Sequence, residues 1–315
     1  MSYSTESNSS VAIIFPGQGS QFPGMGENFV DDFPTARHTF EEANDLLGYN
    51  LRKLCFEGPA DELNLTQNTQ SAILTVSTAI YRVLMEEVEL SPRFMAGHSL
   101  GEYSALVAAR VLDFGDAVKL VSLRGQFMQE AVPDGVGAMA AILGLPLDDV
   151  RSLCSKSSME DSVVVPANIN SPEQVVISGN SEAVERACAL AKEGGAKRVV
   201  PLPVSVPSHS PLMKGASERL PQAMATVRFD RQRVPVITNV EAEPLASGED
   251  AKELLLRQLY SPVQWVASIR RMVVEDIDTI VEVGPGKVLT GLVKRIERGV
   301  KTLVVDSPEG LKALA

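Results

Sequence analysis

The stretch FMAGHSLGEYSAL, residues 94–106, runs from an apolar segment through a glycine into helix-like spacing, with Ser99 at the bend between Gly97 and Gly101. The order reads as strand, tight turn and helix. GHSLG fits G-x-S-x-G, the nucleophile elbow that lifts a serine hydroxyl clear of a sheet. Glycines on both sides leave room for a strained turn. The helix N-terminus that follows carries unpaired N–H groups, and that of Leu100 can face an oxyanion. A serine that merely caps the helix is the plainer reading. Its seat between an apolar strand and a helix favours the elbow.

Outward from this stretch, the apolar runs 11–17, 94–99, 234–239, 279–285 and 302–307 read as strands, near-continuously hydrophobic as parallel strands covered on both faces are. Helical spacing at 71–88 and 116–131 alternates with them, which predicts an α/β fold with a doubly wound parallel sheet. The middle differs. Strand-like 137–144, a helical segment, two strands at 163–170 and 173–180 about an Asn-Ser-Pro turn, a helix from 181 with Ser181 as N-cap, and strand-like 197–204 give the order βαββαβ. That is the split pattern of a ferredoxin-like domain. The expected organisation is a large domain of residues 1–131 and 205–315 with a small domain, 132–204, inserted.

A net charge of −11 over 315 residues argues against nonspecific nucleic-acid binding. Cys55, Cys154 and Cys188 have no metal or redox spacing and read as packing residues. The polar start MSYSTESNSS lacks the zones of a signal peptide, and no apolar run is long enough to span a membrane. A cytoplasmic protein is expected.

In an open parallel sheet, ligands gather beyond the carboxyl ends of the strands. Those ends carry Gln18 in GQGSQ, Ser99, Asn239 and Gly284-Pro285-Gly286. The Gln18 backbone, between glycines, either supplies a second oxyanion N–H or lies in a plain glycine turn. A serine nucleophile needs a base, and the chain has three histidines. His38 sits in a polar amphipathic helix, and His98 adjoins Ser99 on a turn that sends the two side chains apart. His209 remains, in PLPVSVPSHSPLM, where four prolines favour extended backbone. No acid forms a recognisable motif after it; a backbone carbonyl could orient the imidazole in its place.

Arg124 lies on the apolar stripe of 116–131, one turn past Leu120 and one before Met128. A guanidinium aimed at the core must snorkel, pair with an internal carboxylate, or await an anionic ligand. Periodicity alone favours a structural role.

Taken together, FPGQGSQ, GHSLGEYSAL, RGQFMQEAVP, SVPSHSPLM, YSPVQW and VEVGPGKVLTGL resemble, in order, the malonyl-CoA:acyl carrier protein transacylase family, which includes the acyltransferase domains of fatty-acid and polyketide synthases. The likeness is greatest to the discrete bacterial enzymes of type II fatty-acid synthesis. It implies a hydrolase-like α/β domain with a ferredoxin-like insertion, a Ser99 nucleophile, a His209 base, and an oxyanion hole from the N–H groups of Gln18 and Leu100. Arg124 would hold the malonyl carboxylate, and Gln264 would offer its main-chain carbonyl to His209. Leu100 and Val206-Pro207-Ser208 resemble the malonyl-selective members.

The implied reaction is ping-pong transfer from malonyl-CoA to acyl carrier protein through a malonyl-serine, with no metal or redox cofactor; charge and patterning speak for no nucleic-acid or membrane partner, and nothing in the sequence demands more than a monomer. A malonyl or methylmalonyl transferase of a polyketide pathway and a serine thioesterase or esterase are the rivals, and a noncatalytic scaffold a third. Lys294, Arg295, Arg298 and Lys301, and separately Lys197 and Arg198, are candidate contacts for phosphates or an acidic carrier, or ordinary solvated surface.

Overall fold

The computed structural model describes residues 10–204 and 206–314. Residues 1–9, which carry most of the polar start, lie outside them, as does Ser205, where the second segment of the large domain is expected to begin.

The strands are β1 Val11–Phe15, β2 Phe94–Gly97, β3 Gly137–Leu143, β4 Val164–Ser171, β5 Gln174–Asn180, β6 Arg198–Pro201, β7 Val236–Ile237, β8 Thr279–Val283 and β9 Lys301–Val305. Five of them form one sheet in the order β7-β2-β1-β8-β9, every pair parallel. The central strand shows why it is apolar throughout. Ile13 and Phe15 pack into the core under the Thr66–Glu87 and Phe114–Glu130 helices, while Ala12 and Ile14 join Trp265, Ile269 and Leu292 on the opposite face. With side chains alternating faces and both faces covered, no position is left for a polar residue.

The other four strands form an antiparallel sheet, β4-β5-β3-β6, built in the order βαββαβ with the Leu147–Ser157 and Ser181–Glu193 helices. Ala140, Ile142, Val175 and Ile177 meet those helices on one face. On the other face Met139, Ala141, Ala167 and Val176 pack with Leu202 and Val204, outward from the helices. Pro201 falls in the edge strand β6, where its missing N–H interrupts no ladder. Backbone bonds tie this sheet to the segment just before the Trp265–Val274 helix, which packs on the larger sheet: Val263 N–H donates to Ala167 O at 2.8 Å, and Val263 O accepts from Ile169 N–H at 2.9 Å.

Two local expectations change. Asn180, not Ser181, is the N-cap, because β5 runs up to the helix; the Ser181 hydroxyl donates instead to Gly135 O at 2.6 Å. The strand expected over 234–239 shrinks to Val236–Ile237, and the residues beyond it turn to deliver Asn239.

Candidate active site

The serine turn is enforced by close approach. A Cβ at Gly97 would lie 1.8 Å from the Gly101 carbonyl, one at Gly101 2.1 Å from Phe15 O, and one at Gly17 2.2 Å from His98 O. Each separation is inside van der Waals contact, so the motif's two glycines and the first of GQGSQ are obligatory here. Ser99 itself is held at φ 52° in the left-handed region. Asn239 clamps the turn, accepting from Ser99 N–H at 2.6 Å through Oδ1 and donating to Gly97 O at 2.6 Å through Nδ2. Asn239 is legible as a strand-end residue; its clamp exists only once β7 lies beside β2.

Ser99 Oγ lies 2.8 Å from His209 Nε2. The two residues are 110 positions apart in the chain, and the backbone at His209 is anchored from the far side, its N–H donating to Leu259 O at 2.8 Å. His209 stands at φ 60°, left-handed rather than extended as the prolines suggest. The pre-proline restriction falls on Ser210, which is extended at φ −127° before Pro211.

The imidazole's other nitrogen, Nδ1, donates to the Gln258 carbonyl at 2.7 Å, which corrects the assignment to Gln264. Gln258 ends the Gly248–Gln258 helix, so its carbonyl lacks an intrahelical partner. The Gln264 carbonyl is occupied, accepting from the backbone N–H and hydroxyl of Ser268 in the helix that Gln264 caps. The signal was a helix stopped short of Pro262, which leaves orphan carbonyls. With the proton on Nδ1, Nε2 is the acceptor that faces the serine. Burial, and then the Arg124 charge, push the His209 pKa down to about 3, so the imidazole is neutral near pH 7. His98 turns away to Asn170 Oδ1 at 2.8 Å and meets Trp265 edge-on, and His38 is exposed on the Pro34–Leu47 helix.

Arg124 is 1% exposed. Its Nη1 donates to Gln70 Oε1 at 2.8 Å and its Nη2 to Gln258 Oε1 at 2.9 Å, while Nε has no partner. Neither acceptor is charged, so this is not the carboxylate pair a structural role requires. The nearest acid is one amide removed: Gln258 Nε2 donates to Glu102 Oε2 and to Ser99 O. Burial raises the Glu102 pKa to about 7, against the hydrogen bonds that favour its charge. Gln258 thus touches the arginine, the acid, the serine turn and, through its backbone, the imidazole. Gln70 and Gln258 lie in none of the motifs, and Glu102, although inside GHSLGEYSAL, gives no sign there of what it meets; all three were missed.

Gln18, Ser99, Leu100, Arg124 and His209 line one cavity of ≈110 Å³, walled by Met128, Met139, Leu202, Val204 and Val206. Met128 comes from the Phe114–Glu130 helix, Met139 from β3, and Leu202, Val204 and Val206 from the segment after β6. A second cavity of ≈170 Å³ shares Gln18, His98, Asn168 and Leu202 with it. Among the described residues, neither Gln18 N–H nor Leu100 N–H donates to another group of the fold. Gly17, whose Cβ position is 3.7 Å from Leu100 N, sets the two loops side by side. The assembly offers an activated hydroxyl, a neutral base, two free donors and a buried cation. Among the described residues no group of His, Cys, Asp and Glu is arranged to hold a metal, and no helix is long and apolar enough to cross a membrane. Lys197 pairs with Glu173 at 3.0 Å, and Arg295 donates to Gln174 at 3.1 Å.

An acyl transferase domain model matches residues 12–306. Malonyl CoA-acyl carrier protein transacylases of Escherichia coli K12 and Bacillus subtilis 168 are 51% and 49% identical to the chain, each over 96% of it and over 97% and 96% of their own lengths. A crystal structure of an acyl carrier protein S-malonyltransferase from Vibrio cholerae superposes with a TM-score of 0.95 at 48% identity, covering 98% of this chain and 100% of that one. A malonyl-transacylase solved with a type II polyketide-synthase acyl-carrier protein gives 0.95 at 46%, covering 97% and 99%. The chain belongs to the acyl transferase family, in its branch of malonyl CoA-acyl carrier protein transacylases.

Proposed function

We propose that the protein moves a malonyl group from coenzyme A to the phosphopantetheine thiol of acyl carrier protein in fatty-acid biosynthesis, in the cytoplasm, through a malonyl ester on Ser99. The observation that carries this is the 2.8 Å contact between Ser99 Oγ and His209 Nε2, in a cavity that also holds Arg124.

His209 Nε2 takes the hydroxyl proton as Oγ attacks the thioester carbonyl. The positive charge formed on the imidazole is met by the Gln258 carbonyl at Nδ1, at a helix C-terminus whose dipole favours it. The N–H groups of Gln18 and Leu100 receive the oxyanion. Collapse of the tetrahedral centre expels the coenzyme A sulfur, which leaves with the proton from Nε2. The carrier thiol then repeats the sequence in reverse, losing its proton to Nε2, and restores the free serine. Every proton moves through His209, so the cycle calls on no cofactor.

Arg124 selects the donor. Its fork lacks a charged partner, and a malonyl carboxylate supplies one where an acetyl group does not. The ≈110 Å³ space suits a small acyl group, being well below the ~300 Å³ of pockets for drug-sized ligands. The insertion, taken as 132–204, roofs it with Met139, Leu202 and Val204. The thioester tail runs toward the ≈170 Å³ cavity that shares Gln18 and His98.

Incubation with malonyl-CoA alone should add one malonyl mass to the intact protein, and holo acyl carrier protein should remove it. Rapid release of free malonate without carrier would make the protein a hydrolase instead.

A further inference from the structure

A cavity larger than the one beneath Ser99 lies elsewhere in the fold. A pocket of ≈510 Å³ opens on the Thr66–Glu87 helix, the far end of the Gly101–Ala108 helix and the segment 228–233. Arg82, Arg110, Arg228, Arg231 and Arg233 line it against two aspartates, Asp113 and Asp230. On a chain of net charge −11, such a concentration of arginine is a local reversal of sign.

The pocket is built. Arg233 N–H donates to Ala109 O and Asp230 N–H to Val111 O, both at 2.8 Å, which fastens one wall to the other. Arg110 stands at φ 64°, immediately past the helix, on the rim. Arg82 is held by Glu42 at 2.9 Å and lies 4.8 Å over the Phe114 ring, and Arg228 pairs with Asp230. Arg110 and Arg233 form no ion pair among the described residues. Thr78 and Tyr81 line the same wall as Arg82.

We propose that this pocket binds a small molecule carrying at least two phosphate charges. Planar arginine forks match phosphate oxygens, and the volume falls in the range of ligand sites. The site is separate from the Ser99 cavity and shares none of its lining residues. The eight-residue Gly101–Ala108 helix, about 12 Å long, stands between the serine turn and Arg110. The proposal therefore does not rest on the transfer reaction.

Calorimetric titration at low ionic strength, with inorganic pyrophosphate and separately with ADP, tests it. The intact chain should bind, and Arg110→Gln with Arg233→Gln should weaken binding about ten-fold or more. Tighter binding of ADP would assign the remaining volume to a nucleoside, and equal affinity would assign the site to the free anion; both uphold a phosphate site. No binding of either probe, or equal binding by the double variant, overturns the proposal. So does a large rise in the double variant's KM for carrier protein, which would make the patch a docking surface.

Discussion

The two halves of the Ser99 cavity are constructed on opposite principles. In the reacting half, backbone strain is accepted so that two side chains meet: Ser99 and His209 both occupy left-handed backbone and stand 2.8 Å apart. In the other half the backbone of the Phe114–Glu130 helix is regular and the cost is electrostatic. A fully buried guanidinium there has only amide oxygens for partners. The first half prepares a reaction that any acyl thioester can undergo. On the proposed function the second half, whose guanidinium has no charged partner, is the one that decides which acyl group enters.

The contrast breaks if the halves do not separate under mutation. Ser99→Ala should abolish the acyl adduct, and His209→Ala should cut transfer about 10⁴-fold for malonyl and acetyl donors alike, measured by intact mass and single-turnover transfer. Arg124→Ala should lower kcat/KM for malonyl-CoA by about 10²- to 10³-fold, as losing one partner of a buried charge pair does, while acetyl-CoA is spared. Equal losses for both donors would merge the two halves.

The acid limb of the pH profile sharpens the comparison. With the His209 pKa pushed down to about 3 by burial and then by Arg124, protonation removes the base only on falling through that value. The acid limb of kcat/KM should therefore lie below about pH 5, not near the ordinary histidine value of about 6.5. Removing the Arg124 charge should move the acetyl-CoA limb to higher pH, and an unmoved limb would show the halves to be electrostatically independent.

A smaller effect is expected at the hub. Gln258→Leu keeps the backbone carbonyl for His209 but deletes the amide between Arg124 and Glu102. It should reduce the malonyl-to-acetyl preference by about ten-fold, one charged hydrogen bond's worth, with little change in acetyl transfer. Smallest is Glu102→Gln. Burial raises this carboxyl from 4.5 to about 7, so the fold retains a proton that the unfolded chain has lost. That contribution to stability is fully present below the unfolded value and is lost as pH rises through about 7. The variant's Tm should accordingly fall less than the parent's between about pH 5 and 8, as thermal unfolding would measure.

How much of this was legible can be judged residue by residue. The elbow was, because Gly97 and Gly101 are forced by contacts within eight residues of chain and along the first strand. His209 followed from there being only three histidines, although its left-handed backbone contradicted the extended reading of the prolines. The misplaced charge of Arg124 was visible as a break in an apolar stripe, but what surrounds it was not. Gln264 was the wrong carbonyl, since its place in YSPVQW says nothing about which carbonyls a helix end leaves free.

Local patterning by itself determined the alternation of strands and helices, the βαββαβ order and the serine turn, because each depends on spacing that a few neighbouring residues complete. Only the tertiary structure decided that Gln258 binds Arg124, Glu102, the serine turn and His209 at once, and that five arginines from three parts of the chain share one pocket. Those contacts join residues separated by as much as 159 positions. A glutamine or arginine carries no sign of its partner until the sheet has brought the two together.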